Sequence, residues 1–274
     1  MEKKGKTSIY IQELSDLALL QIEIGEFEEA EKNLSICLTH FKKQKDRLGI
    51  SASLGLLGTL LYKKGDNEKS IEACEEALKI YKELHQYQEM TTCLKMIGLN
   101  YFKLKKYDEA TDVFIECSSI CSDHEDIHGL LDCLANLITI HETQENWEVV
   151  EELYRKTLKA YQQLKDQKGI IVSLLNLGII NKKYKKHDSA LTLFKKAIKK
   201  AEEANLAEYI LKGLSLVGES LFYMGQIKAA KDEFIKALKL AKKINAKNAI
   251  IQLTILLQSL GLKEQDIQKE LNEQ

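Results

Sequence analysis

Apolar and polar positions along this chain recur with a spacing of 40 residues, without a gap. Leu14, Leu54, Leu94, Leu134, Leu174 and Leu214 form one column. Three residues on stand Leu17, Leu57, Ile97, Leu137, Leu177 and Val217, followed by Ala18, Gly58, Gly98, Ile138, Gly178 and Gly218. Further columns read Ala30, Ser70, Ala110, Val150, Ala190, Ala230, then Leu34, Cys74, Phe114, Tyr154, Phe194, Phe234, then Cys37, Ala77, Cys117, Thr157, Ala197, Ala237. Within one copy, Leu54, Leu57, Gly58 and Leu61 lie at i, i+3, i+4 and i+7, the stripe of an amphipathic helix. Ser70, Cys74, Ala77 and Leu78 place a second stripe on a second helix. Lys63-Lys64-Gly65-Asp66-Asn67 between them is a turn, with glycine where a helix ends. Small residues at 58 and 70 let the two helices approach, and the larger residue at 74 fills what space remains. Neither helix hides its apolar face alone, so the copies must stack.

Six copies follow, at roughly 8–46, 47–86, 87–126, 127–166, 167–206 and 207–245, with 246–274 as a cap, all in one domain spanning 1–274. The fourth copy departs from the pattern, with Ile138 for glycine, Trp147 in the turn region, Val150 for alanine and Thr157 for alanine. Its larger core calls for compensated repacking, with a functional hinge as the alternative. A seventh helix over 247–260 is apolar nearly all round, and Ile267 and Leu271, at i and i+4 in the polar segment behind it, suit a covering helix. Undocked, that segment would leave the seventh helix as a contact between copies.

The order Leu, Leu-Gly, Gly, Ala, Phe, Ala resembles the tetratricopeptide repeat across residues 8–245. Two features depart from that family: the first large position is Leu in every unit, and the closing proline is absent, as it is from the whole sequence. The period also exceeds the family's basic unit of about 34 residues. Longer units of this kind are similar to those of kinesin light chains, Pins/LGN proteins and Rap-type peptide receptors. The resemblance implies an all-α, right-handed solenoid of stacked helix-turn-helix units with C-terminal capping helices.

Charge is nearly balanced, with 40 basic and 41 acidic side chains, but unevenly spread. Residues 101–150 carry 3 basic and 11 acidic side chains, and residues 151–200 carry 13 and 4, so an acidic stretch abuts a basic one. Such a dipole bears on steering and self-association rather than on fold. Lys182, Lys183, Lys185, Lys186 and His187 cluster in the fifth unit, but only Tyr184 interleaves them, which favours solvated charges over nucleic-acid binding. No apolar run reaches the roughly 18–20 residues of a membrane span, and no apolar segment follows the charged opening residues, so a cytoplasmic protein with reduced thiols is expected.

The resemblance places a groove along the first helix of each unit, lined by the columns Asp16, Leu56, Met96, Asn136, Asn176, Leu216 and Leu19, Thr59, Leu99, Thr139, Ile179, Glu219. A third lining column is Ile22, Tyr62, Phe102, Glu142, Lys182, Phe222. This amphipathic mix suits an extended peptide or a partner helix. Asn136 and Asn176 share one column, and a carboxamide carries both a donor and an acceptor for a peptide backbone. In peptide-binding members of the family, Asn in this column takes that role. The candidate ligand-binding residues are therefore Asn136, Asn176, Lys95, Met96, Thr139, Ile179, Lys182 and Lys212, with Lys95 and Lys212 offering charge to a ligand carboxylate. The two-carboxylate clamp of chaperone-binding members is interrupted by Leu99 and Val172.

Cys117, Cys121, His124 and His128 make the one metal-like spacing, but Cys117 falls in the buried small-residue column, so packing thiols are expected rather than zinc. Cys93 and Cys133 share a column and read as packing residues rather than a disulfide. No phosphate loop, nucleophile elbow or His-Glu-x-x-His occurs, so neither catalysis nor a cofactor is expected. The expected function is an interaction scaffold that binds a peptide or helical segment of a partner protein. The alternatives are a peptide-controlled regulatory module and a scaffold that self-assembles through the seventh helix or the charge dipole.

Overall fold

A computed structural model describes residues 2–272, with side chains from 9 to 271; the last two residues of the expected cap lie outside the described residues. The helices are α1 (Glu2–Ile24), α2 (Phe27–Gln44), α3 (Arg47–Lys64), α4 (Asn67–Glu83), α5 (Tyr87–Lys103), α6 (Tyr107–Asp123) and α7 (Ile127–Thr143). They continue with α8 (Trp147–Gln163), α9 (Gln167–Lys183), α10 (His187–Glu203), α11 (Ala207–Tyr223), α12 (Ile227–Lys243), α13 (Lys247–Ser259) and α14 (Glu264–Asn272). Among the described residues there is no strand, and the fold is an all-α repeat.

A finer period runs beneath the one of 40 residues. The backbone enters the left-handed region at 25, 45, 65, 85 and every twentieth position through 245, and again at Gly261. Most of these turns close their helices in the same way. At one of them, the Gly65 N–H donates to Tyr62 O and the Asp66 N–H to Leu61 O, the double bond of a Schellman cap. Gly25, Gly65 and Gly225 suit this conformation, while Lys105, Glu145 and Lys185 adopt it against their Cβ. A cap of this kind every 20 residues leaves helices of 17 residues from α4 to α12. Both the turns within a repeat and those between repeats are therefore equally short, and the extra length of the 40-residue unit lies in the helices.

Close packing within each pair follows from the glycine and aromatic columns. A Cβ built on Gly98 would lie 2.7 Å from the Phe114 ring, one on Gly178 2.3 Å from Phe194, and one on Gly218 2.5 Å from Phe234. The bare glycine is what lets each ring approach the facing helix, and all three rings are buried. The fully buried column Ala30, Ser70, Ala110, Val150, Ala190 and Ala230 lies at the start of the second helix of each pair.

The chain divides into two compact units, Met1–Gln144 and Glu145–Gln274. The division falls in the turn of the fourth repeat, the one with Ile138 in place of glycine. Ile138 and Val150 are buried, while Tyr154 is half-buried where the other aromatics of its column are fully covered. In the first unit, α3 approaches α1 and α5, and α5 approaches α7, whereas α2, α4 and α6 do not approach one another. The odd-numbered helices thus form the tighter layer there, and in the second unit α9 and α11 approach in the same way.

Each end of the pattern is less complete than its middle. Leu17 occupies a core column but is 44% exposed on α1. At the other end, Ile267 of α14 is buried in one cluster with Leu253 and Leu257 of α13, so the polar tail does cover one side of the apolar helix. Ile251 and Ile255 on its other side remain 58% and 60% exposed.

Two substitutions seven positions apart separate these effects. Gly98→Ala is expected to lower stability by about 1–3 kcal/mol, because the methyl meets the Phe114 ring. Lys105→Gly is expected to raise stability by about 0.5–1 kcal/mol, because it relieves a left-handed lysine. Denaturant midpoints in the same background check both signs.

Candidate functional site

The odd-numbered helices carry hollows lined by the columns beside the core stripe. In the first unit, a groove of about 460 Å³ lies between α3 and α5, over Tyr81 and Cys74 of α4. Leu56, Thr59, Thr92 and Met96 line its walls, so the surface is mainly apolar with hydroxyls at intervals. A smaller hollow of about 260 Å³ follows along α5 and α7, with Tyr62, Leu99, Phe102, Asn136 and Thr139 among its lining residues. The Lys103 ammonium sits 3.4 Å from the centre of the Tyr62 ring at its edge, a cation–π contact.

In the first unit a buried polar relay joins three helices. Asn100 of α5 is fully buried and donates to Ser70 Oγ at 2.9 Å and to Met96 O at 2.8 Å. Ser70 in turn donates to Gly58 O on α3 at 2.7 Å. The relay fixes the spacing of α3, α4 and α5, since losing either partner would strand a buried polar group. Periodicity gave no sign of it, because Asn100 shares its column with Leu60 and Ile140.

In the second unit a hollow of about 560 Å³ is lined by Ile179, Lys182, Lys183, Lys185, His187 and Tyr223. Here the lysine cluster is partly organised by neighbours. Lys182 pairs with Glu219 on α11, Lys183 lies 3.1 Å from the centre of the Trp147 ring, and His187 stacks on Tyr223 with ring centroids 6.0 Å apart. The Trp147 that marks the atypical repeat thus packs against a lysine of the next one.

The candidate ligand residues separate by surroundings. Asn136 is half-buried, and its Nδ2 donates to Asp132 O one turn back at 2.8 Å. That bond fixes the amide's orientation and leaves its Oδ1 and a second N–H for another partner. Thr139 is exposed one turn on, and its hydroxyl donates to Ala135 O. Met96 lines the larger groove of the same unit, while Lys95 points to Asp132 at 3.3 Å, an ion pair rather than an open charge. In the second unit, Asn176 is half-buried on α9, and Ile179 and Lys182 line the basic hollow. Lys212 is exposed on α11.

The cysteines regroup relative to the sequence pattern. Cys117, Cys121 and Cys133 bring their sulfurs together and are buried. His124 instead lies tilted against Tyr87 with ring centroids 3.7 Å apart, and both His124 and His128 are exposed. Cys93 and Cys133 do not form a pair: Cys133 joins the thiols of α6, while Cys93 lies by Cys74 at the floor of the larger groove. All six cysteines are reduced. Burial pushes the Cys74 and Cys93 thiols up to about 12, away from the thiolate that reacts.

Sequence models of the tetratricopeptide repeat match residues 11–83, 49–123 and 130–203. The chain belongs to the tetratricopeptide repeat family. Among curated proteins it is similar to the regulatory protein RapD of Bacillus subtilis (strain 168), with 29% identity over 131 residues. That match covers 47% of this chain and 37% of RapD, so the chain spans well under half the length of the relative it matches. Among solved structures it is similar to a signal transduction ATPase of the STAND type with a tetratricopeptide repeat sensor from Pyrococcus horikoshii. The TM-score is 0.67 at 14% identity, covering 90% of this chain and 38% of that one. The apo form of the quorum sensor NprR from B. thuringiensis matches with a TM-score of 0.53 at 15% identity, covering all of this chain and 78% of that one. At these identities the two structures bear on the fold alone. No described helix of this tetratricopeptide repeat chain is long and apolar enough to cross a membrane.

Thiol accessibility tests the packing of this site. In the native protein Cys74 and Cys93 are expected to react with an aromatic disulfide reagent far more slowly than after unfolding, which should release all six thiols. Rapid native labelling at these two positions, read by mass spectrometry, would show that the groove floor is open.

Proposed function

We propose that this chain is a protein-interaction module that takes a peptide or helical segment of a partner along the odd-numbered helices. The observation that carries this reading is the alternation of apolar walls with fixed amides and hydroxyls there. Leu56 and Met96 offer apolar contact, and Asn136 presents a carboxamide already oriented by Asp132 O. An extended chain needs both, since apolar contacts supply affinity and an amide pairs with its backbone whatever its side chains. In the second unit Asn176, Ile179, Lys182 and Lys212 serve the same ligand class, with the basic hollow favouring an acidic side chain or a carboxylate. Lys95 acts through Asp132 and tunes the charge beside Asn136 rather than meeting the ligand itself.

A second reading is favoured by the likeness to RapD, a protein named as regulatory. In it, a bound peptide biases the repeats between two arrangements and so controls contact with an effector. Small-angle scattering separates the two: a regulator changes its scattering profile when the peptide binds, while a plain scaffold does not.

Peptides selected from a random display library against the wild-type chain provide the binding test. Asn136→Ala and Asn176→Ala are each expected to weaken several unrelated selected peptides by about tenfold, the loss of one or two hydrogen bonds. A uniform loss across sequences is the mark of backbone recognition. Equal affinity for wild type and the double variant would refute the role given to the amides.

A further inference from the structure

The sulfur atoms of Cys117, Cys121 and Cys133 lie within 4.8 Å of one another, and all three side chains are buried. The first two stand one turn apart on α6, and the third comes from α7. The repeat supplies a control for each position, because the same packing is done elsewhere without sulfur. Position 117 is Ala in three other repeats, at 77, 197 and 237. Position 121 corresponds to the rings Phe41, Tyr81 and Tyr161 in three repeats and to buried Ala201 and Ala241 in the last two. Position 133 corresponds to Ser53 and Ser173, each of which donates to a carbonyl of its own helix at 2.9 and 2.8 Å.

Opposite Cys121 the backbone is bare. A Cβ on Gly129 would lie 2.8 Å from the Cys121 sulfur. At the two other joints with glycine there, Phe41 meets Gly49 and Tyr161 meets Gly169, while the last two repeats place buried Ala201 and Ala241 at the position of Cys121, so a ring or a methyl serves where this joint has a thiol. Packing alone therefore does not call for three thiols at this joint.

We propose that Cys117, Cys121 and Cys133 form a three-sulfur site for a thiophilic metal ion with a filled d shell, monovalent copper being the chemical type. An ion held about 2.3 Å from each sulfur in a trigonal plane spaces the sulfurs about 4.0 Å apart. The present spacing reaches that with shifts of less than about 1 Å, within side-chain rotation. Soft thiolates in a dry setting select soft ions. A four-coordinate zinc site would need a fourth ligand, and His124 and His128 are exposed and turned to other contacts or to solvent. The Asp126 carboxylate is held as the cap of α7, accepting from the Gly129 N–H at 2.9 Å. Each thiol that ligates the ion gives up its proton to solvent, so affinity rises with pH. Because the sulfurs are buried, the ion enters when α6 and α7 part, and refolding in its presence is the efficient route of loading.

The test refolds the full chain anaerobically with cadmium(II) as the spectroscopic probe and copper(I) as the proposed type, each against a weak competing chelator. Wild type is expected to bind one equivalent, with a sulfur-to-cadmium charge-transfer band in the ultraviolet and a raised melting temperature. Cys133→Ser and Cys117→Ala reproduce residues that other repeats carry at these positions, so both are expected to fold, as circular dichroism checks. Both should lose the band and the thermal shift, while Cys37→Ala, at a buried thiol elsewhere, should keep them. Retention of the one-equivalent band in Cys133→Ser, or no band in wild type, would overturn the proposal.

Discussion

The structure depends on how closely the two helices of each pair can approach. Where glycine faces Phe114, Phe194 or Phe234, a single added carbon would fall within 2.8 Å of the ring. That contact, made in the third, fifth and sixth repeats and replaced by Gly58 on Cys74 in the second, turns two separately unstable amphipathic helices into a hairpin with one shared core, and hairpins of this kind repeat along the chain. It also decides where function can lie. The first helix of each pair gives one stripe to its partner and another to its neighbours, which leaves Leu56, Thr59 and Tyr62, with Asn136, Thr139, Ile179 and Lys182 among their equivalents, at the hollows, whereas Ile22 and Leu216 of the expected lining columns are buried in the core.

Most of the architecture was legible because the core columns are chemically distinct. Six leucines in register, glycines opposite rings and small residues at 30, 70 and 110 leave little freedom in the pairing of helices. The 20-residue recurrence of left-handed turns was not legible, because only three of those turns carry glycine and the rest use Lys, His, Glu or Asn. Backbone geometry that a lysine adopts under protest leaves no mark in a hydrophobicity pattern. The open side of α1 was hidden for a related reason: Leu17 belongs to a core column, yet no earlier repeat stacks on it among the described residues.

The candidate site was legible by column and less so by partner. The column of Met96 and Asn136 does line hollows of the first unit, because the helical period fixes which face a residue occupies. The engagement of Lys95 by Asp132 and of Lys182 by Glu219 spans 37 residues in each case, a distance at which charge patterning along one helix says nothing. The thiols show the same limit. The i, i+4 spacing picks out Cys117 and Cys121, but the third sulfur comes from the next helix, and the histidines that completed the pattern on paper face away.

The central claim is that ligands lie on the odd-numbered helices. It is tested most directly by placing a photo-crosslinking side chain at one position at a time and trapping a selected peptide. Crosslinks are expected from Thr92 and Thr139, which are exposed on α5 and α7, and not from Glu76 or Glu116, exposed on α4 and α6. Trapping from Glu76 and Glu116 with none from Thr92 and Thr139 would place the ligand on the opposite face and contradict the account.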